Sequence, residues 1–169
     1  MKGSEEVAQA LNERLSEELA ALHQYMMFSQ CLKLHGLTKM ARMFEDEIQD
    51  ELGHATRLTH RILFLGYEPN VKALAPFDTS HDPKEMLTLF RDAEMDAINR
   101  YNETINICRQ NSDAGSEEML RNILLDEEHH LQTVEAALYQ IDVMGLDQFL
   151  SVQTDGLGEP PGDIQDEQD

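Results

Sequence analysis

Apolar residues recur along most of the chain at alternating steps of three and four, the spacing of the buried face of a packed helix. Ser4, a favoured N-cap residue, opens the first such segment, and Gly36 supplies its C-terminal stop. Pro83 opens the third segment, and Gly145 ends the fourth. The pattern predicts helices at about residues 4–36, 38–65, 83–111 and 116–145, followed by a short fifth helix at 146–152.

The stretch between the second and third helices, residues 66–82, has no helical period. Pro69 and Pro76 interrupt it, and few apolar residues are regularly spaced. We therefore expect one long surface connection that crosses the length of a bundle. Together with short links elsewhere, this organisation predicts an all-α fold, a four-helix bundle with one long crossover.

Each of the four long helices carries a glutamate within its apolar row. These residues are Glu18, Glu51, Glu94 and Glu127. A histidine follows the second and fourth of them after three positions, at His54 and His130. Residues three apart lie on one face of a helix, so each histidine can reach the same ligand as its glutamate.

This arrangement occurs twice in the chain. Glu18 and Glu51 are 33 residues apart, as are Glu94 and Glu127. Every member of the first set returns 76 residues later in the second, and Tyr101 follows Tyr25 at the same interval. The repetition predicts a two-metal site built from a repeated helical hairpin.

Four carboxylates in the core would repel one another and lose their hydration, which costs several kcal/mol for each unpaired ion. The matching positions of the predicted helices hold no Lys or Arg. Two divalent cations would balance the four charges, and two neutral imidazoles would complete the ligand set. Oxygen-rich coordination with two histidines suits iron or manganese, although Zn²⁺ also binds such sites. Bridging carboxylates would hold the two ions about 3.5–4 Å apart.

The overall charge excludes several kinds of partner. Thirteen basic residues face 33 acidic ones, so the formal net charge is −20, and no basic cluster is present. We expect no binding to nucleic acid or to anionic membranes.

No apolar run approaches the length of about 20 residues that spans a bilayer, and no signal-peptide pattern opens the chain, which predicts a soluble cytoplasmic protein. Cys31 and Cys108 lack a C-x-x-C spacing and are expected to be free thiols.

The last residues differ in composition from the rest. Residues 154–169 contain six acids, no bases, three Gly and two Pro. Such a segment buries too little apolar surface to offset the entropy of ordering. We predict one helical domain at residues 1–153 and a flexible acidic tail at 154–169.

The segments EELAALHQY, DELGHA and DEEHH, which contain the residues described above, resemble the motifs of the bacterioferritins. The resemblance covers nearly the whole chain and implies a ferritin-like four-helix bundle. In that family the residues matching the six acids and histidines bind a di-iron ferroxidase centre, which oxidises Fe²⁺ with O₂ or H₂O₂. It also implies a homo-oligomeric cage of 24 subunits that stores ferric mineral, and a ferredoxin-type partner for iron release.

One position departs from the family pattern. Bacterioferritins have a methionine directly after the second-helix glutamate, where it binds haem between two subunits, and this chain has Leu52. A leucine cannot ligate iron, so haem is not expected from this chain alone. The family includes species in which a haem-binding subunit co-assembles with a ferroxidase subunit, and this chain resembles the latter.

Other residues are weaker candidates. Asp46, Glu47 and Asp50 could carry iron on the inner surface of a cage, as the family's inner-surface ligands do, or form an ordinary solvated acidic face. Tyr25 lies two helical turns beyond Glu18, where it could donate an electron during oxygen reduction or simply pack in the core. The remaining histidines fall outside the ligand spacing and are expected to be surface or packing residues: His23, His35, His60, His81 and His129.

Two other functions fit a two-metal helical bundle. One is a di-iron peroxidase or oxidase of the rubrerythrin kind, although that class usually carries an iron module held by Cys-x-x-Cys pairs, which this chain lacks. The other is a structural shell subunit, or a metal buffer, in which Zn²⁺ or Mn²⁺ ties the helices together without catalysis.

Overall fold

The computed structural model describes residues 2–155. The described residues form five α-helices and no strand: α1 (Glu5–Leu34), α2 (Thr38–Phe64), α3 (Pro83–Gln110), α4 (Ala114–Met144) and α5 (Leu146–Ser151). α1 packs along α2 and α3 packs along α4, while further contacts join α1 to α3 and α2 to α4. The predicted all-α four-helix bundle with a short fifth helix is confirmed.

The helix ends follow local chemistry. Gly36 and Gly145 take positive φ angles of 76° and 83° at the ends of α1 and α4, a conformation that glycine adopts without strain. α4 begins two residues earlier than the sequence pattern predicts. The reason is Asp113, whose Oδ1 accepts the backbone N–H of Ser116 at 3.0 Å and caps the helix.

Ser4 stands at the N-cap of α1 as predicted, but its hydroxyl does not cap the helix. It donates instead to Asn111 Oδ1 at 2.7 Å, at the far end of α3. This contact joins the start of the first hairpin to the end of α3.

Residues 65–82 form the long crossover without a helix or strand. Three contacts place this segment beside α1: Asn70 N–H donates to Asn12 Oδ1 at 2.7 Å, Ala75 N–H donates to the Ser16 carbonyl at 2.9 Å, and Gln24 Nε2 donates to the Asp78 carbonyl at 2.6 Å. The partners on α1 advance from residue 12 to residue 24, so the connection runs along the bundle as expected.

The core consists of two apolar clusters. One contains Phe28, Phe44 and Phe90, and the other contains Leu11, Leu58 and Ile105. On each of the four long helices, the glutamate lies between the residues that contribute to one cluster and those that contribute to the other. The buried acids therefore form a polar layer between two apolar layers.

Both cysteines are free thiols, as expected. No helix within residues 2–155 is long and apolar enough to cross a membrane.

At the C-terminal end, Lys39 N–H donates to the Gln153 carbonyl at 2.9 Å, and Thr38 Oγ1 donates to Asp155 Oδ2 at 2.9 Å. The predicted flexible tail lies almost entirely outside the described residues, and the division at residue 153 stays a prediction.

Candidate metal centre

The structure brings the six acids and histidines singled out in the sequence together in the middle of the bundle. All six are at most 4% exposed. They form two groups whose ligand atoms lie within 4.8 Å of one another. The first group is Glu18, Glu51, His54 and Glu127, and the second is Glu51, Glu94, Glu127 and His130.

Glu51 and Glu127 belong to both groups. Glu127 Oε1 lies 3.0 Å from His54 Nδ1, and its Oε2 lies 3.2 Å from His130 Nδ1. Glu51 is 3.2 Å from His54 Nδ1 through one oxygen and 3.9 Å from His130 Nδ1 through the other. If two cations are bound here, Glu51 and Glu127 would contribute to holding both of them, and Glu18 and Glu94 would each contribute to holding one.

The buried oxygens of this layer are poorly satisfied by the protein itself. Glu94 Oε2 and Glu127 Oε1 have no hydrogen-bond partner among residues 2–155. Glu127 Oε1 does lie close to His54 Nδ1, but that contact lacks the geometry of a hydrogen bond. Buried polar atoms of folded proteins are usually paired. A pair of divalent cations would supply the missing partners, so the donor set fits the metal content that the sequence predicts.

Burial and mutual repulsion hold protons in the metal-free site. Burial raises the pKa of Glu94 to about 8, and burial with the neighbouring carboxylates raises the pKa of Glu51 well above its usual range. Burial disfavours the charged imidazoles, but the carboxylates outweigh it and raise the pKa of His54 to about 10 and that of His130 to about 11. Burial also opposes ionisation of Glu127, yet its contacts with both histidines lower its pKa to about 2. Protons therefore take the place of the cations in charge balance.

Two tyrosines hold the outer carboxylates in place. Tyr25 is fully buried and its hydroxyl donates to Glu94 Oε1 at 2.7 Å. Tyr101 donates in the same way to Glu18 Oε1. Each tyrosine thus serves the glutamate of the other half of the repeat. Burial raises the pKa of both phenols well above their ordinary value, so both remain protonated donors.

The outward-facing nitrogens of the two histidines also meet carboxylates from the other half. His54 Nε2 lies 3.3 Å from Asp126 Oδ2, and His130 Nε2 lies 3.5 Å from Asp50 Oδ2. Carboxylates in this position orient an imidazole and raise its basicity as a metal ligand. Asp126 was not predicted from the sequence, although Asp50 and Asp126 are separated by the same 76 residues as the candidate ligands.

The three weaker acidic candidates differ from one another. Glu47 is buried at 6% exposure, and its Oε2 lies 3.1 Å from His130 Nε2, so it is not part of a solvated face. Burial raises the pKa of Glu47 to about 7. Glu47, Asp50 and His130 form a third group of potential ligand atoms. Asp46 is exposed and is not a member of that group.

A cavity of about 310 Å³ leads from the surface to the layer of acids. α1, α3 and the crossover supply most of its lining, and Glu18, Glu51, Glu94 and Glu127 contribute to its inner wall. Glu17, Asp92, Asp96 and Arg100 lie nearer the solvent, and Phe77 of the crossover lines one side. Tyr25 also reaches this cavity, whereas Tyr101 is absent from its lining.

Leu52 lies on the outer surface of α2 and is 50% exposed. The five histidines outside the ligand spacing are all exposed. Two of them, His35 and His81, approach Cys31. His35 is one helical turn away, whereas no local pattern predicts the contact with His81 of the crossover.

Comparison with known proteins agrees with this architecture. The ferritin-like domain family model matches residues 8–144. The chain is 36% identical to the bacterioferritin of Streptomyces coelicolor over 151 residues, which cover 89% of this chain and 90% of that protein. It is 34% identical to the bacterioferritin of Rhodobacter capsulatus over 145 residues, covering 86% of this chain and 90% of that protein. It is 36% identical to a bacterial ferritin of Synechocystis sp. over 154 residues, covering 90% of this chain and 99% of that protein.

Proposed function

We propose a ferroxidase role within an iron store for this chain, which belongs to the bacterioferritin family of ferritin-like proteins. Iron storage is the function that the family membership supports. The finer proposal is that each subunit binds two Fe²⁺ and oxidises them to Fe³⁺ with O₂ or H₂O₂ before the iron is stored as mineral in an oligomeric cage. The two ligand groups that share Glu51 and Glu127 carry this proposal.

The proposed role of each ligand follows from its position in the two groups. Glu51 and Glu127 would bridge the two ions, while Glu18 with His54 and Glu94 with His130 would complete each side. When bound, the iron supplies the electrons that reduce the oxidant. The protein keeps the ligands close before iron arrives, and Tyr25, Tyr101, Asp50 and Asp126 restrict their orientation.

Acidic residues line both an entry route to the centre and an exit route from it in this proposal. The cavity opens between α1, α3 and the crossover, and its acidic residues favour entry of a cation. Glu47 and Asp50 lie on α2, beside the Nε2 atom of His130 that faces away from the two ligand groups. We propose that Fe²⁺ enters through the cavity and that Glu47 and Asp50 receive iron leaving the centre.

The direct test is stopped-flow oxidation of Fe²⁺ by the metal-free assembly. Rapid oxidation should saturate at two Fe²⁺ per subunit. Glu18→Ala, and separately Glu127→Ala combined with His130→Ala, should abolish the rapid phase because each change removes ligands. His129→Ala is the matched control, since His129 is adjacent to His130 but exposed. Unchanged rapid oxidation in an intact Glu18→Ala assembly would refute the proposal.

Oxygen uptake, measured together with the unfolding temperature, distinguishes a ferroxidase from a structural metal site. If metal binding raises the unfolding temperature of the wild-type protein while no oxygen is consumed, the site is a structural one or a metal buffer. A structural site would use the same ligands, so the ligand variants would lose the stabilisation by metal. Neither the wild-type protein nor the variants would consume oxygen.

A further inference from the structure

The outer part of the cavity that leads to the buried acids carries a positively charged side chain. Among residues 2–155 that line this cavity, Arg100 is the only basic one. Its guanidinium connects two helices: Nη1 donates to Glu17 Oε1 of α1 at 2.8 Å, and Nε donates to Asp96 Oδ2 of α3 at 2.9 Å. Arg100 therefore pairs with two carboxylates that line the path of an entering cation.

The guanidinium of Arg100 is held less firmly than its backbone. Arg14 is buried, and its Nη1 donates to the Arg100 carbonyl at 3.0 Å. The side chain of Arg100, by contrast, is 47% exposed. Ion pairs between exposed side chains are weak and break easily. The guanidinium can therefore turn away from the cavity without moving α3.

Glu17 does not depend on Arg100 for its position. Arg14 Nε donates to Glu17 Oε2 at 2.7 Å, and Arg14 Nη2 donates to Glu17 Oε1 at 2.9 Å. This double contact fixes the carboxylate and balances its charge. Arg100 adds a second positive charge, so the two arginines together balance Glu17 and Asp96. The main effect of Arg100 is therefore on the charge of the cavity mouth.

We propose that Arg100 acts as a gate for cations that enter the cavity. With the guanidinium in place, its charge repels a divalent cation, and its ion pairs keep Glu17 and Asp96 from attracting one. When the side chain turns outward, both carboxylates can draw the cation in towards Glu18. The inference rests on the proposed entry of Fe²⁺ through this cavity and names a residue that limits the rate of entry.

The repeat in the chain indicates a suitable substitution. Gln24 of α1 lies 76 residues before Arg100, at the matching position of the other half, and lines the same cavity. Its Nε2 donates to the Asp78 carbonyl of the crossover at 2.6 Å. A neutral glutamine is therefore accommodated at the corresponding position of α1, and Arg100→Gln is the variant of choice.

Anaerobic uptake of Co²⁺ tests the gate without depending on iron oxidation. Visible absorbance follows Co²⁺ as it binds the carboxylates and histidines of the buried centre after stopped-flow mixing with the metal-free assembly. At low ionic strength, Arg100→Gln should bind Co²⁺ about three- to tenfold faster than the wild-type protein, because a repelling charge has been removed. The gain should fall below about twofold at about 0.5 M salt, which screens the charge. The final number of bound ions should not change.

Two further variants separate the charge at the gate from other effects. Arg100→Lys keeps the positive charge and should bind Co²⁺ at close to the wild-type rate. Arg109→Gln is the matched control: Arg109 also lies on α3, is paired with Glu117 at 2.9 Å and is not part of the cavity lining. Equal rates in Arg100→Gln and the wild type, an equal gain in Arg109→Gln, or an equal gain in Arg100→Lys would each overturn the inference.

Fe²⁺ distinguishes failure of the gate from failure of the ferroxidase proposal. In Arg100→Gln, oxidation should be faster than in the wild type at low Fe²⁺ concentration and equal to it at saturation, because the gate affects entry alone. Faster Co²⁺ uptake by Arg100→Gln, with no Fe²⁺ oxidation by the wild type, would refute the ferroxidase proposal and support the gate. Normal Fe²⁺ oxidation with unchanged Co²⁺ uptake would refute the gate alone.

Discussion

Several side chains of the buried layer should lose protons when a cation binds. At pH 7 three groups hold protons in the metal-free protein, because their pKa values are raised to about 8 or higher: His54, His130 and Glu94. Burial and the neighbouring carboxylates raise the pKa of Glu51 as well. Ligands bind metals in their deprotonated forms, so binding must release these protons. Affinity should accordingly rise with pH.

We expect anaerobic Fe²⁺ binding at pH 7 to release protons from His54, His130 and Glu94, measured with a pH-stat before any oxidant is added. The release should decrease as the pH passes about 8, where Glu94 loses its proton without metal. Glu94→Gln should lower the release, and Glu128→Gln, an exposed change on α4, should not. Binding at pH 7 without proton release would contradict this account of the metal-free site.

Tyr25 and Tyr101 make equivalent contacts but differ in their access to oxidant. Only Tyr25 lines the cavity, and its ring packs against Phe44 and Phe90 at centroid distances of 5.7 and 5.0 Å. We expect Tyr25 to donate an electron during oxygen reduction. Tyr25→Phe should then remove the organic radical signal seen by electron paramagnetic resonance after aerobic Fe²⁺ addition. Tyr101→Phe is the matched control and should keep it; a signal that persists in Tyr25→Phe would assign that residue to packing alone.

At the scale of the helices, small residues leave room for the cavity. Ala21 on α1 faces the lining formed by Ala93 and Ala97 on α3. Ala93→Leu should narrow the cavity without touching a ligand. Fe²⁺ oxidation should slow several-fold, while equilibrium binding of two ions per subunit persists. Ala136→Leu, at an exposed position of α4, is the control. If both variants oxidise iron at the wild-type rate, iron enters by another route.

The helices could be predicted because the spacing of apolar residues within each segment determines them. Alternating steps of three and four placed residues such as Leu15, Leu58 and Ile105 in the core, where the structure has them fully or nearly fully buried. The six principal candidate ligands were also predictable in position, since acids within apolar rows need compensation and their spacing repeats. Glycine and proline located the ends of helices to within two residues.

Contacts between helices were less accessible to sequence reasoning. The repeat shows that Tyr25 corresponds to Tyr101, but it does not show which glutamate each hydroxyl reaches, because that depends on how the two hairpins pack. Glu47 lies one helical turn before Glu51, but the sequence does not show that His130 of α4 lies beside it. Cys31 and His81 share no period, so nothing local signals that the crossover brings them together.

At the scale of the whole molecule, Leu52 bears on haem binding. The resemblance to bacterioferritins implies that the residue at this position faces a second subunit, and the structure leaves it half-exposed on α2. Leu52→Met should give the assembled protein a haem absorbance band after reconstitution, since a thioether can ligate the iron. Leu63→Met, a change at a comparably exposed leucine of α2, should not. Equal haem uptake by both variants would show that Leu52 is not at the haem position.

The polar contacts between the two helical hairpins bear on how such a protein could have evolved. Tyr25 reaches Glu94, Tyr101 reaches Glu18, and both histidines meet an aspartate of the opposite half. A half-length ancestor that dimerised about a two-fold axis would already have possessed each of these two kinds of contact twice. Fusion of two gene copies would then have preserved a working centre. After fusion the halves could diverge, and changes such as Glu47 in one half and Ile123 at its counterpart would have given the centre two unlike sides.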